Sequence, residues 1–195
     1  IITGSGNGRS TPDILVDMMD RSEESTLFPP YYFDANGQPE AHSYIAIADG
    51  TKRHNMARVY AGRYKSGGHK IPMIVVVKCG TPEEAMASKP GNRGKRDSQI
   101  ILMSFLSKVL FDDRMTPLEF DLFCKIKALS GATPDAFELV LMVDADTQVD
   151  TQAAEKLSCA MRSDPQIMGL CGETQIANST HSWVTAIQVF EYYIS

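Results

Sequence analysis

The run Ile71-Pro-Met-Ile-Val-Val-Val-Lys78 limits what this chain can become more than any other stretch. Its β-branched side chains suit a pleated sheet, and their continuity predicts a strand buried on both faces of a parallel or mixed sheet. Two further apolar runs, residues 138–143 and 167–171, predict more strands. Helical periodicities lie between and after them. Leu102, Phe105, Leu106 and Val109 recur at i, i+3, i+4, i+7 behind a basic loop, and Ala154, Leu157, Ala160 and Met161 form a second stripe that Asp164-Pro165 stops. Trp183, Ile187, Phe190 and Ile194 stripe a last helix. Strands alternating with helices predict a three-layer α/β fold.

Upstream the text differs. Ser10-Thr-Pro-Asp supplies a helix cap with proline just inside, ahead of a stripe of Ile14, Leu15, Met18 and Met19. Residues 27–68 carry paired prolines, Asn36-Gly37, Asp49-Gly50 and the alternating Arg58-Val-Tyr-Ala-Gly-Arg-Tyr64, which predict short antiparallel strands joined by tight turns. This is read as a β-rich insertion in the first half. With 195 residues the chain is the size of one domain or most of one. It starts at Ile1 and stops at Ser195 within a helical pattern, so it is read as a fragment truncated at both ends.

Composition narrows the function classes. A net charge of -5, with 22% charged residues, offers no basic stripe for a nucleic-acid backbone, so nucleic acid is not an expected partner. Cys79, Cys124, Cys159 and Cys171 form no C-x-x-C pair and suit a reducing compartment. No run approaches the roughly 18 apolar residues that cross a bilayer.

The stretch VLMVDADTQVD, residues 140–150, sets two carboxylates one residue apart after an apolar run. At the end of a strand, Asp144 and Asp146 would share a face and repel unless a cation sits beside them. The carboxyl edge of an α/β sheet is where ligands bind, and a hard divalent ion held by one or two carboxylates plus diphosphate oxygens is a common use of Mg²⁺. The alternative is that Asp144 is solvated and Asp146 or Thr147 caps the next helix; Asp150 is assigned to capping. Gly91-Asn-Arg-Gly-Lys95-Arg96-Asp97 opens a helix, where backbone N–H groups, the helix dipole and three basic side chains favour an anion. It equally suits a basic surface turn, and its spacing is not that of a P-loop. Glu173, after the 167–171 run, is a candidate for a sugar hydroxyl or a plain surface carboxylate. Gly4-Ser-Gly-Asn-Gly8 lacks the spacing of a dinucleotide loop, and Trp183 is expected in the core.

Four segments carry a resemblance: KPGNRGKRDSQ (89–99), VDADT (143–147), IMGLCGET (167–174) and SWVTAIQVFEYYIS (182–195). In this order they resemble the fungal chitin synthases, processive family-2 glycosyltransferases. The resemblance implies that residues 1–195 are a partial catalytic domain of GT-A type (Rossmann-like), a mixed sheet flanked by helices, with 27–68 inserted in it. It implies transfer of N-acetylglucosamine from UDP-N-acetylglucosamine to a growing β-1,4 chitin chain for the cell wall, with Mn²⁺ or Mg²⁺ as cofactor. By the same resemblance Asp146 binds the cation, Asp144 assists through the ribose or the metal shell, and Lys95 and Arg96 hold the nucleotide. The family's Glu-Asp general-base dipeptide and its Gln-x-x-Arg-Trp segment do not occur among the 195 residues. The parent enzyme is expected in the plasma membrane through segments outside this one, with the catalytic segment on the cytosolic face.

Two other readings stay open: another processive UDP-sugar β-glycosyltransferase, and a nucleotide-binding module without transfer activity. Purified 1–195 is expected to incorporate no labelled N-acetylglucosamine into polymer, and measurable incorporation would overturn that expectation.

Overall fold

The computed structural model describes residues 8–194, and the chain divides into two compact units, Ile1–Glu138 and Leu139–Ser195. Gly4 to Asn7 of the glycine-rich start lie outside the described residues. The fold is mixed α/β: an open antiparallel sheet with helices, consistent with a GT-A-like glycosyltransferase domain.

In the first unit, α1 (Thr11–Asp17) starts as its sequence dictates, with the Ser10 hydroxyl accepting from the Asp13 N–H at 3.3 Å and Pro12 in the first turn. A two-residue strand, β1 (Met19–Asp20), and a single helical turn, α2 (Glu24–Leu27), follow. The sheet then forms from β2 (Ala41–Ile45), β3 (His54–Ser66) and β4 (His69–Lys78). β3 is central. One edge pairs with β1 and β2, the other with β4 along a register from Ala57 opposite Lys78 to Ser66 opposite His69. Gly67 and Gly68 close that hairpin with φ of 54° and 83°, the doubly left-handed turn that matches the twist of the flanking strands.

The 71–78 run therefore sits differently from expectation. It is a strand, but an antiparallel one continuous with the sheet of the 27–68 segment, and it is half-exposed, with Ile71 at 53% and Val76 at 36%. Among the described residues β4 pairs only with β3. Pro72 explains this place, because a residue without an N–H is tolerated where no second neighbour needs one.

The covering helices are α3 (Gly94–Phe111) and α4 (Pro117–Ser130). α3 turns its predicted stripe inward: Phe105 is fully buried, and Leu102, Leu106 and Val109 pack around it. Alternate residues of β3 supply the other side, with Ala57, Val59 and Ala61 almost wholly buried. α4 has no counterpart among the expected helices, although Thr116-Pro117-Leu118-Glu119 is a capping box: the Glu119 carboxylate accepts from the Thr116 N–H at 2.7 Å, and Gly131 ends the helix with φ 73°. Glu119 also accepts from Lys108 Nζ at 2.6 Å, tying α4 to α3.

The second unit holds α5 (Ala153–Ser163) and α6 (Trp183–Ile194), both at their predicted places. The strands predicted at 138–143 and 167–171 form no ladder among the described residues. A strand needs a partner for its backbone groups, and among the described residues neither run pairs with the other or with another segment. Its apolar residues stay out: Val140 is 54% exposed and Leu141 56%. Trp183, expected in the core, stands 76% exposed, because two helices and their connections offer too little apolar surface to cover it.

Phe105→Ala is expected to cost about 3 to 5 kcal/mol, seen as a lower denaturant midpoint with an unchanged slope, because the emptied site faces a rigid sheet. Ile100→Ala, at a half-exposed position of the same helix, is expected within about 0.5 kcal/mol of wild type.

Candidate functional site

The basic loop is built on two glycines that touch. After β4 the chain leaves at Gly80, forms a 3-10 turn over Pro82–Glu84 and returns at Gly91. Both glycines have positive φ, 80° and 70°, and a Cβ on Gly91 would lie 2.4 Å from the Lys78 carbonyl oxygen and 2.5 Å from the Gly80 nitrogen. Glycine is required here by backbone angle and by space. Glu84 locks the closure: its carboxylate accepts from the Gly91 N–H at 3.0 Å and from the Arg93 guanidinium through both oxygens.

Arg93 therefore does not act as the third anion-binding side chain that the sequence suggests. Its side chain is 2% exposed and also donates to the His54 carbonyl at 3.2 Å, so it serves as a fastener between the loop and the start of β3. Lys95 and Arg96, in the first turn of α3, are exposed to solvent. At that helix start the N–H groups and the positive end of the dipole favour an anion, and the two cations add to the same field.

Asp97, the next residue, points the other way. It is 2% exposed, and its carboxylate accepts from the Tyr44 hydroxyl at 2.7 Å, the Ile47 N–H at 3.0 Å and Lys78 Nζ at 3.1 Å. Burial first, and the neighbouring Asp97 carboxylate second, raise the Tyr44 phenol well above its ordinary range, so it stays a donor. Asn55 donates through Nδ2 to the Tyr44 oxygen at 2.7 Å and to the Gly91 carbonyl at 3.0 Å. Sequence reasoning missed this network. Its one signal was an acidic residue set directly behind two basic ones in a helix's first turn.

The acidic candidates belong to the second unit. Asp144 and Asp146 lie in a turn closed by the Thr147 N–H donating to the Asp144 carbonyl at 3.0 Å, not at the end of a paired strand. Both are exposed. Asp150 works ahead of α5, accepting from the Gln152 N–H at 2.9 Å, while Gln152 itself is the capping position. Glu173 is exposed, outside any strand, and accepts from Gln175 Nε2 at 3.1 Å. No group of three or more His, Cys, Asp or Glu suited to a metal occurs among the described residues. The Asp144–Asp146 pair offers two hard oxygen donors, a set that fits Mg²⁺ or Mn²⁺ when diphosphate and water complete the shell.

The first unit thus carries an anion-favouring helix start, and the second, by itself, an exposed acidic turn. A family model described as chitin synthase matches residues 1–195. Chitin synthase C of Emericella nidulans is 54% identical over 204 residues, covering all of this chain and 16% of its own length. Chitin synthase 3 of Candida albicans is 56% identical over 203 residues, with the same coverage. Chitin synthase 7 of Mycosarcoma maydis is 55% identical over 196 residues, again across the whole chain but 14% of its own. The chain belongs to the chitin synthase family. It spans about one sixth of the length of these curated relatives. No solved structure matches it.

Acid is expected to loosen the loop. The Arg93 guanidinium holds Glu84 below its ordinary 4.5, so the stabilisation is complete above about that pH and is lost as pH falls through the lower folded value. Amide exchange at Gly91, corrected for its intrinsic rate, is expected to accelerate below that point in the wild type. In Glu84→Gln it is expected to be fast at every pH.

Proposed function

We propose that this chain is part of the catalytic domain of an enzyme that transfers N-acetylglucosamine from UDP-N-acetylglucosamine to the end of a growing β-1,4 chitin chain. The observation that carries this is the end-to-end match of residues 1–195 to the chitin synthase family. Residues 27–68 are a β-rich excursion within that domain. The parent enzyme sits in the plasma membrane with this segment on the cytosolic face. Among the described residues no helix is long and apolar enough to cross a membrane; in this reading the parent's membrane segments lie elsewhere in its chain.

In this reading Lys95 and Arg96 bind the diphosphate of the donor, reinforced by the N–H groups at the start of α3. Asp146 holds a divalent cation, Mn²⁺ or Mg²⁺, and Asp144 assists through the metal shell or the ribose. When bound, the cation supplies electrostatic stabilisation of the charge that develops on the departing diphosphate. Two adjacent carboxylates on an exposed turn suit this, since they lose little hydration until donor and metal arrive together. Glu173 accepts a hydrogen bond from a hydroxyl of the donor sugar.

The test uses membranes containing the complete parent enzyme, scored for labelled N-acetylglucosamine in chitinase-sensitive polymer at varied Mn²⁺ and Mg²⁺. Asp146→Asn is expected to lower polymer synthesis by about 100-fold or more at equal expression, the scale of losing one preorganised charge-stabilising group. Retained activity would remove Asp146 from the metal site, and absence of polymer in the wild type would remove the synthase reading.

A further inference from the structure

The dipeptide Lys95-Arg96 is bracketed by two residues gripped by one ammonium group. Lys78 Nζ, at the end of β4, donates to the Gly94 carbonyl at 2.8 Å on one side of the dipeptide and to the Asp97 carboxylate at 3.1 Å on the other. Asp97 is held in turn by the Tyr44 hydroxyl from β2, and Asn55 from β3 links that hydroxyl to the Gly91 carbonyl at the loop's return. Three strands of the sheet thus fix the backbone immediately before and after two exposed cations.

We propose that Asp97, with Tyr44 and Lys78, positions Lys95 and Arg96 for the diphosphate of a nucleotide sugar, so that the buried carboxylate sets donor affinity without touching the donor. The proposal rests on the assignment of Lys95 and Arg96 to the nucleotide.

The physical case comes from what long cationic side chains lose on binding. Lysine and arginine each carry about 2 kcal/mol of rotamer entropy, so their contribution to an anion site depends on how well the backbone beneath them is held. Helix starts fray, because their first N–H groups have no partner within the helix. The capping position of α3 is Arg93, whose guanidinium is spent on Glu84 and nearby carbonyls, while Asn92 Oδ1 accepts from the Gly94 N–H at 3.0 Å. The contacts of Lys78 with the Gly94 carbonyl and the Asp97 carboxylate add to this hold from outside the helix.

A purely structural role for Asp97 predicts something else. A residue that only holds the fold together changes how much active enzyme is present, not how tightly that enzyme holds its donor.

The complete parent enzyme in membranes separates the two through KM for UDP-N-acetylglucosamine, kcat, and the dissociation constant of labelled UDP measured directly. Asp97→Asn is expected to raise both KM and the UDP dissociation constant about 10-fold, with kcat at saturating donor within about threefold, since it removes a buried charge-assisted bond. Tyr44→Phe is expected to shift both in the same direction, and the double variant to be no weaker than Asp97→Asn, because both act through one network. If Asp97→Asn fails to accumulate, Tyr44→Phe carries the test. Unchanged donor and UDP affinity, with only a lower rate at every donor concentration, would overturn the proposal. A wild type that makes no chitin but binds UDP, more weakly in Asp97→Asn, would overturn the activity and support the positioning role. A wild type that binds no UDP would overturn the positioning role whatever its activity.

Discussion

Every ladder in the sheet runs through β3. Its thirteen residues pair with β1 and β2 on one edge and with β4 on the other, so the register of three strands is set by one backbone. The same strand forms the floor of the core, through the alternate side chains of Ala57, Val59 and Ala61. Even a carbonyl in its middle is used: Lys125 of α4, wholly buried, donates to Val59 at 2.6 Å and to Asp121 at 2.9 Å, with the rings of Phe28 and Tyr32 within 6 Å. Burial pushes the Lys125 ammonium down, and the Asp121 carboxylate works against that shift. A helix anchored to a central strand by a paired buried cation is fixed in place along the strand as well as in its distance from the sheet.

The loop that carries the basic candidates inherits this rigidity. β4 is held along β3, and Gly80 just beyond it packs against Gly91 with no room for a side chain. Glu84 and Arg93 then close the loop from within, while Asp97, Tyr44 and Asn55 hold it from beneath. Polar groups buried in this way stabilise only when all are satisfied, and Asp97 has three donors to its two oxygens. The outcome is a segregation of charge: Arg93 and Asp97 turn inward as fasteners, and Lys95 and Arg96 remain at the surface with the helix start beneath them.

Local chemistry was the legible part. The Ser10 cap, the α3 stripe around Phe105, the α5 stripe ended by Asp164-Pro165 and the turn-rich antiparallel character of residues 27–68 all depend on neighbours within a few positions. What failed depended on distant partners. The 71–78 run reads as doubly buried because β-branched continuity does not reveal how many layers cover a sheet, although Pro72 marked an edge. The 138–143 and 167–171 runs have strand composition, yet a ladder requires two runs to meet in register, and among the described residues neither run pairs with any other. Of the basic loop, residue types gave the sum of charge but not its division between surface and interior.

By itself the sequence determined family, the places of α1, α3, α5 and α6, and the chemistry on offer: two carboxylates in VDADT, a basic helix start, and glycines where the backbone must turn left-handed. These follow from short-range sterics and from motifs that survive as strings of residues. Tertiary structure alone decided that Arg93 pairs with Glu84, that Asp97 is buried under Tyr44 and Lys78, and that one ammonium group spans the two cations offered to solvent. Those outcomes join residues up to 53 positions apart, and only the folded sheet brings such donors and acceptors close enough for burial to favour their pairing.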